Sequence, residues 1–391
     1  MKPKLLVTAS TFPRWEGDTE PRFILDLSKA LLKYFDVTVL VPAAIGAKDK
    51  EVLEGVNVIR YHYFPIHKWE TLCYPGAIVP RIREKKIRVL LVPFLLVGLW
   101  FNLFKMRHQY DVVHSHWIIP QGIVQSFFAN RYMITGHGGD VSSFNKGIIK
   151  KLKVRCLKRA CKITTVSEAL KKIVLDLYPE ADVNVISMGC DITKFGEKYR
   201  KENFFNQSEK KVVLFVGRLA EKKGVTYLID AMKQIDALLV IVGDGPLKKE
   251  LKEQADKIGT RIRFLGSKSH EELKTIYASA DIFVAPSITA SDGDKEGLGL
   301  VILEAMASGL SVVASKSGGI PDIVKDGYNG FLVEEKDVDG LAEKINYLIA
   351  SESERQKISN NGLKTAYEYD YGNIAQRYYL LWKDILYANK G

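Results

Sequence analysis

At 391 residues, with 47% hydrophobic and 26% charged residues, the chain has the composition of a folded globular protein, which excludes large-scale disorder, and a length that suits two domains better than one core. The formal net charge of +11 is one-sided: residues 1–195 hold 29 Lys and Arg against 17 Asp and Glu, whereas residues 196–391 hold 28 against 29. A basic first half points to an anionic partner such as membrane headgroups or a phosphorylated acceptor; no nucleic-acid-binding signature accompanies the charge, so no nucleic-acid partner is expected.

Taken in chain order, the opening MKPKLLVTAS carries an apolar run too short for a signal peptide and reads as a first strand. Apolar, β-branched runs recur at Lys4–Ser10, Asp36–Pro42, Asp111–His116, Met133–Gly138, Lys162–Ser167 and Asp182–Ser187, with helical stretches between them. They lack clean alternation, and strands apolar on both faces belong in a parallel sheet covered by helices on both sides. The second half repeats the pattern at Val212–Gly217, Leu238–Gly243, Ile262–Gly266, Ile282–Ser287 and Ser311–Ser315. The expected fold is therefore α/β, with two Rossmann-like, doubly wound parallel-sheet domains.

Between the halves, Asp191–Lys211 loses apolar periodicity and gathers Lys, Glu, Asn and Gly, which places the domains at 1–192 and 193–370. At the end of the chain, Ile374, Tyr378, Leu381, Trp382 and Ile385 recur at helical spacing, so residues 371–391 are expected to form a helix that docks back on the first domain. Val89–Phe104 is apolar but broken by Pro93, Gly98 and Asn102; it falls short of the roughly 20 residues of a membrane span and reads as a buried or interfacial helix. The four cysteines form no CxxC pair and lack a His at metal spacing, which reads as free thiols.

In doubly wound sheets ligands bind beyond the carboxyl ends of the strands, so the residues just after each strand carry the information. Arg218 and Lys223 follow the strand VVLFVG and lead into a helix, a placement that suits a dianion such as a diphosphate and equally a solvated basic loop. Gly243 ends LLVIVG and Gly245 follows it, and together they permit a tight turn against a nucleotide, but the pattern is not GxGxxG, which weakens a hydride-transfer reading. After IFVAPS, Glu296 and Glu304 flank a glycine-bearing stretch ahead of a helix. There the amides of Gly297, Leu298, Gly299 and Leu300 would face an anion with the helix dipole behind them, and Glu304 would accept from a diol.

The stretches GRLAEKKG, VGDGPLKKEL, EGLGLVILEAMASG and GGIPDIVKDGYNGFLV resemble the retaining glycosyltransferases of family four, which have the GT-B fold, across residues 205–345. The first half is similar to the same family through TFPRWEGDTEPRFILDLSKAL, DVVHSHW, TGHGGDV and TVSE. The resemblance implies two Rossmann-like domains facing across a deep cleft, and transfer of a hexose-type sugar from a UDP- or GDP-linked donor to a lipid-linked, polysaccharide or glycan acceptor. It also implies that Arg218 and Lys223 hold the diphosphate, Glu296 lies near the donor sugar, Glu304 binds the ribose, and His137 faces the transferred sugar. Gly17 stands where the family places a glycine near the donor phosphates, with EGDTEP in place of a double glycine.

His137 is expected to act in catalysis with Glu296, Arg218 and Lys223, the plainer alternative being a structural loop histidine, and Asp140 could orient it or cap the next helix. His114 and His116 share a face and receive no catalytic role. Asp292 and Asp294 form a D-x-D that binds a metal in glycosyltransferases of another fold; here the pair reads as a polar loop wall, and neither metal nor cofactor is expected. The rival functions are a GT-B sugar-nucleotide epimerase and a nucleotide-sugar-binding protein without turnover. Residues 146–162 hold eight basic residues and no acid, with Ile149, Leu152, Cys156 and Ala160 on one helical face. Together with the 81–88 cluster (Arg81, Arg83, Lys85, Lys86, Arg88) they suggest contact with an anionic membrane, and hence a cytoplasmic enzyme peripheral on that membrane face.

Overall fold

The computed structural model describes residues 1–18, 20–129, 131–206, 210–259 and 261–387. The chain divides into two compact units, Met1–Ser187 joined by the segment from Tyr371 onward, and Met188–Asp370. The division falls a few residues ahead of the expected boundary at 192, because Cys190 bridges Asp370 and donates its N–H to Tyr369 O at 2.9 Å, which commits the connection to the second unit. Residues 388–391 of the expected terminal helix lie outside the described residues.

The first unit runs β1 (Lys4–Thr8), α1 (Phe23–Leu31), β2 (Asp36–Pro42), β3 (Lys50–Leu53), β4 (Val56–Tyr61), α2 (Ile78–Glu84), α3 (Val92–Met106), β5 (Val112–His116), α4 (Ile123–Gln125), β6 (Tyr132–Gly136), α5 (Gly139–Ser142), α6 (Gly147–Arg159), β7 (Lys162–Thr165), α7 (Glu168–Leu177) and β8 (Val183–Val185). Its sheet has the order β3-β4-β2-β1-β5-β6-β7-β8 and is parallel except for the β3–β4 pair. That hairpin was not anticipated from sequence. It turns at Glu54 and Gly55, both at positive φ (49° and 88°), and its strand β4 is partly exposed, so it lacks the continuous apolar run of its neighbours.

Helix α4 packs against both α3 and α6, which places these three on one side of the sheet. The C-terminal helix Tyr371–Tyr387 packs beside α1, where Tyr34 stacks on Tyr379 with ring centroids 4.3 Å apart. Ile374, Tyr378 and Trp382 are fully buried there.

The second unit runs β9 (Val212–Val216), α8 (Val225–Ala231), β10 (Leu238–Val242), α9 (Lys248–Ile258), β11 (Ile262–Gly266), α10 (His270–Ser279), β12 (Ile282–Ala285), α11 (Leu300–Ala307), β13 (Ser311–Ser315), α12 (Ile320–Ile323), β14 (Phe331–Val333), α13 (Val338–Ala350) and α14 (Glu352–Glu368). Its all-parallel sheet has the order β11-β10-β9-β12-β13-β14. On β9, Val212, Leu214 and Val216 point into one apolar layer while Val213 and Phe215 point into the other, so the strand is covered on both faces. The order reverses between β9 and β12, and the loops after those two strands are where a doubly wound sheet opens a crevice.

Candidate functional site

Two glycines let the loops at this switch point approach closely. Gly224 is left-handed (φ 62°), and a Cβ there would lie 1.9 Å from Pro286 O, just past β12. Gly243, at the end of β10, would place a Cβ 1.9 Å from Gly217 O, at the end of β9. Polar bonds then lace the β9 loop to the β12 loop. Ile288 N–H donates to Lys222 O at 2.8 Å, Ser291 donates from its N–H and its hydroxyl to Glu221 at 2.9 and 2.8 Å, and Lys222 Nζ lies 3.0 Å from Asp294 Oδ2.

At the centre of this lacing Lys223 Nζ donates to Glu296 Oε2. Burial alone would raise the Glu296 carboxyl, but Lys223, then Lys222 and the Gly297 N–H, outweigh it and hold the group below the ordinary carboxylate range. The Glu296 backbone is pinned as well: its carbonyl accepts Gly319 N–H at 3.1 Å, and a Cβ on Gly318 would come within 1.9 Å of the same oxygen. Gly299 is left-handed (φ 88°) and begins α11 without a side-chain cap. Ile302 N–H turns back to the Gly299 carbonyl at 2.8 Å, and no side chain caps the start of the helix.

Lys223, Glu296 and Gly299 line one small pocket together with Ser287 and Ile320. An ammonium, a carboxylate and an uncapped helix start on one wall suit a phosphate ester carrying a polar group. The side chains of Leu298 and Leu300 pack into the apolar layer, and neither residue is among those that line the pocket. Glu304, one turn into α11, accepts from the Tyr277 hydroxyl at 2.9 Å, and Arg218 is exposed on the β9 loop. Tyr277 carried no sequence signal for this contact, because an apolar helix face predicts only that it is buried.

In the first unit His137 follows β6. Its Nε2 meets His116 Nδ1 at 2.9 Å, and its ring lies against Trp117 and Phe23 with centroids 4.8 and 5.5 Å away. Burial, then the nearby His114, lowers His137 to about 3, so the ring is neutral. Asp140 does not cap the next helix, whose N-cap is Gly138, and it holds the His137 backbone rather than its ring: its carboxylate accepts N–H from His137 (3.0 Å), Gly138 (2.9 Å) and Ile118 (2.8 Å). His116, given no role from sequence, is therefore the side chain that fixes the His137 ring. His114 instead turns to Thr135 Oγ1 at 2.7 Å and to the Tyr378 ring, inside the core.

Gly17 is left-handed (φ 78°) at the tip of a loop that Arg14 and Asp18 close with bonds of 2.9 and 2.7 Å. Two expectations are corrected. On α6 the buried side includes Lys153, whose Nζ donates to Val141 O (2.7 Å) and Ser143 O (3.0 Å), so one cation assigned to the solvated face is internal. The apolar stretch is also longer than read: a tight turn at Lys86–Leu91 runs straight into α3, making 21 helical residues, Lys86–Met106, long and apolar enough to cross a membrane by length and composition.

The family described as "Glycosyl transferases group 1" matches residues 197–365, and "Glycosyltransferase Family 4" matches residues 21–194. An uncharacterized glycosyltransferase of Methanocaldococcus jannaschii is 31% identical over 378 residues, 90% of each chain. The chain belongs to the family 4, group 1 glycosyltransferases. Another relative of this glycosyltransferase is the GDP-mannose-dependent α-(1-6)-phosphatidylinositol monomannoside mannosyltransferase of Mycolicibacterium smegmatis, 32% identical over 88% of this chain and 89% of its own. Among solved structures, sucrose-phosphate synthase from Thermosynechococcus elongatus superimposes with a TM-score of 0.78 at 22% identity, covering 99% of this chain and 100% of its own. Anabaena HepE in complex with UDP-glucose does so with a TM-score of 0.73 at 21% identity, covering 98% and 100%. These likenesses establish the GT-B fold.

Proposed function

We propose that the enzyme moves a hexose-type sugar, with retention and without a metal ion, from a UDP- or GDP-linked donor to a lipid-linked or polysaccharide acceptor on the cytoplasmic side of a membrane. The observation that carries this reading is the Lys223–Glu296 pair beside the uncapped start of α11, in one pocket at the β9/β12 switch point. The pocket's ammonium and helix start would meet the donor diphosphate, and fixed positive charge there stabilises the leaving group as negative charge builds on it. Glu296, freed from Lys223 by the incoming phosphate, would turn to the sugar hydroxyls, and Glu304 to the ribose. Arg218, exposed in this state, would close on the diphosphate.

On the other unit, neutral His137 is suited to hydrogen bonding with a sugar hydroxyl and unsuited to holding a charge. Two features support the donor and acceptor classes. The mycobacterial relative is named for a GDP-mannose donor and a phosphatidylinositol-linked acceptor, and the Anabaena structure holds UDP-glucose.

Thermal-shift titration with UDP- and GDP-sugars tests the donor. A bound sugar nucleotide at about 100 times its Kd raises stability by about 2.7 kcal/mol, and the base that gives the shift names the donor. Nucleoside diphosphate release that requires an acceptor then marks transfer. Sugar interconversion without acceptor would mark an epimerase, and binding without either product would mark a non-catalytic protein.

A further inference from the structure

The first unit carries a set of large apolar side chains that stay exposed among the described residues. The helical run Lys86–Met106 is fixed to its domain along one seam, Leu95, Leu99 and Leu103, each at most 3% exposed. The seam is tight: a Cβ on Gly98 would come within 3.0 Å of Tyr63 Cβ. The opposite side of the run is exposed, with Val89, Leu90, Phe94, Val97, Phe101 and Phe104 all turned outward and Val97 at 66%. Aromatic contacts extend the surface at both ends. Phe94 meets Phe64, which meets exposed Trp69, while Trp100 stacks on Phe104 and touches Phe128 of the α4 end. Short α4 packs against both α3 and α6, so the basic helix lies on the same side of the sheet.

Cations ring this surface. Residues 81–107 hold seven Lys and Arg and one acid, Glu84, which is shared by Arg81 at 2.6 Å and Arg88 at 3.0 Å. Arg83, Lys85 and Lys86 are exposed at one end. At the other, Lys105 lies over Phe101 (4.2 Å) and Arg107 over Phe104 (3.9 Å), and on the α6 side Arg155 lies over exposed Phe127 (4.7 Å). Cations seated over outward aromatic rings give a surface that is apolar in the middle and positive at its rim.

The geometry points to an in-plane docking face for an anionic lipid bilayer, with the helix Lys86–Met106 lying along the interface rather than crossing it. A crossing would tear Leu95, Leu99 and Leu103 out of the core, whereas lying flat immerses only residues that are already exposed. A second copy of this chain fits less well: a symmetric dimer through this face would set one cationic rim against another. Anionic headgroups complement the rim, and acyl chains complement the aromatic centre. The inference deepens the lipid-linked acceptor reading, but it is tested without turnover, so vesicle binding and sugar transfer can fail separately.

The full chain is floated with vesicles of phosphatidylcholine containing phosphatidylglycerol, and with pure phosphatidylcholine. The wild type is expected to bind the anionic vesicles at low salt, roughly tenfold or more tighter than the neutral ones, and to lose most of that advantage at about 0.5 M salt. The variants Val97→Asp with Phe101→Asp, and Lys85→Glu with Lys86→Glu, are each expected to weaken binding roughly tenfold or more while keeping wild-type circular dichroism and Tm. Acyl chains brominated near the interface should quench Trp100, and Trp100→Phe should remove part of that quench. The proposal is overturned if the folded wild type ignores anionic vesicles at low salt, or if the Asp variants bind as it does. A wild-type dimer that Val97→Asp with Phe101→Asp dissolves would equally overturn it, in favour of a self-association face.

Discussion

Lys223 and Glu296 stand 73 positions apart in the chain, yet their side chains meet as the innermost of several bonds that lace the β9 loop to the β12 loop. The pair is largely enclosed, with side-chain exposures of 16% and 12%. Each partner therefore removes part of the other's desolvation cost, and losing one leaves a charge without its counterion.

Lys223→Ala is expected to lower kcat/KM by about 10²–10³, the usual loss when a single donor to a developing anion is removed. Glu296→Gln should weaken donor use and cost about 1–3 kcal/mol of stability. The pH dependence is specific. The folded Glu296 carboxyl titrates below its ordinary range, so its stabilisation is complete above that range and lost as pH falls through the lowered folded value. Acid unfolding followed by circular dichroism should show a shallower loss in Glu296→Gln than in wild type, and identical curves would contradict the pairing.

Gly318→Ala probes the same site through the backbone. The added Cβ would meet Glu296 O at 1.9 Å, and the φ of 56° strains any other residue, so either the downstream turn or Glu296 itself must shift. We expect a loss of about 1–3 kcal/mol in stability and a larger proportional loss of sugar-nucleotide affinity. Gly259→Ala is the control: its φ of 65° is similar, but nothing lies within 4 Å of the added carbon, so it should lose stability without the excess loss of affinity.

Much of the second unit was legible because most of its strands are uninterrupted apolar runs and its glycine-bearing loops come directly after them. The placement of Glu296 and Gly299 followed from those two facts. What sequence could not supply was pairing. Nothing in the spacing joins Glu221 to Ser291 or Lys222 to Asp294, since such contacts depend on which strands are neighbours, and the reversal of order at β9 and β12 sets that. In the first unit β3 and β4 escaped notice because a partly exposed hairpin lacks the continuous apolar run used to find its neighbours. His116 was passed over for a different reason: alternation along a strand gives a side chain its face but not its partner.

The Asp292–Asp294 pair offers a test of metal independence. Asp294 is engaged by Lys222 of the β9 loop at 3.0 Å, and Asp292 Oδ1 accepts the Asp294 N–H at 3.0 Å, so one carboxylate ties the two loops together and the other shapes its own. Transfer should persist in excess chelator, and Asp292→Asn should retain activity within about threefold, as surface substitutions outside the chemistry usually do. An activity abolished by chelator and restored by a divalent ion would reassign the pair as metal ligands.

Asp140 and Lys153 give the last test, because together they hold the loop that carries His137. Lys153 is buried with its ammonium on Val141 O and Ser143 O, and burial, opposed by Asp140, lowers it from the ordinary 10.5 to about 8. Between those two values the unfolded chain keeps the proton that the folded chain has shed, so this group makes stability rise with pH from about 8 toward 10.5. Lys153→Met should remove that slope, which is measurable as Tm against pH relative to wild type. Asp140→Asn should cost about 1–3 kcal/mol, because an amide turned toward the three N–H groups can accept with only one of its two ends. If His137 acts on the transferred sugar, Asp140→Asn should depress kcat more than it raises the donor KM, whereas a purely structural loop would lose stability and leave the kinetics of the folded fraction unchanged.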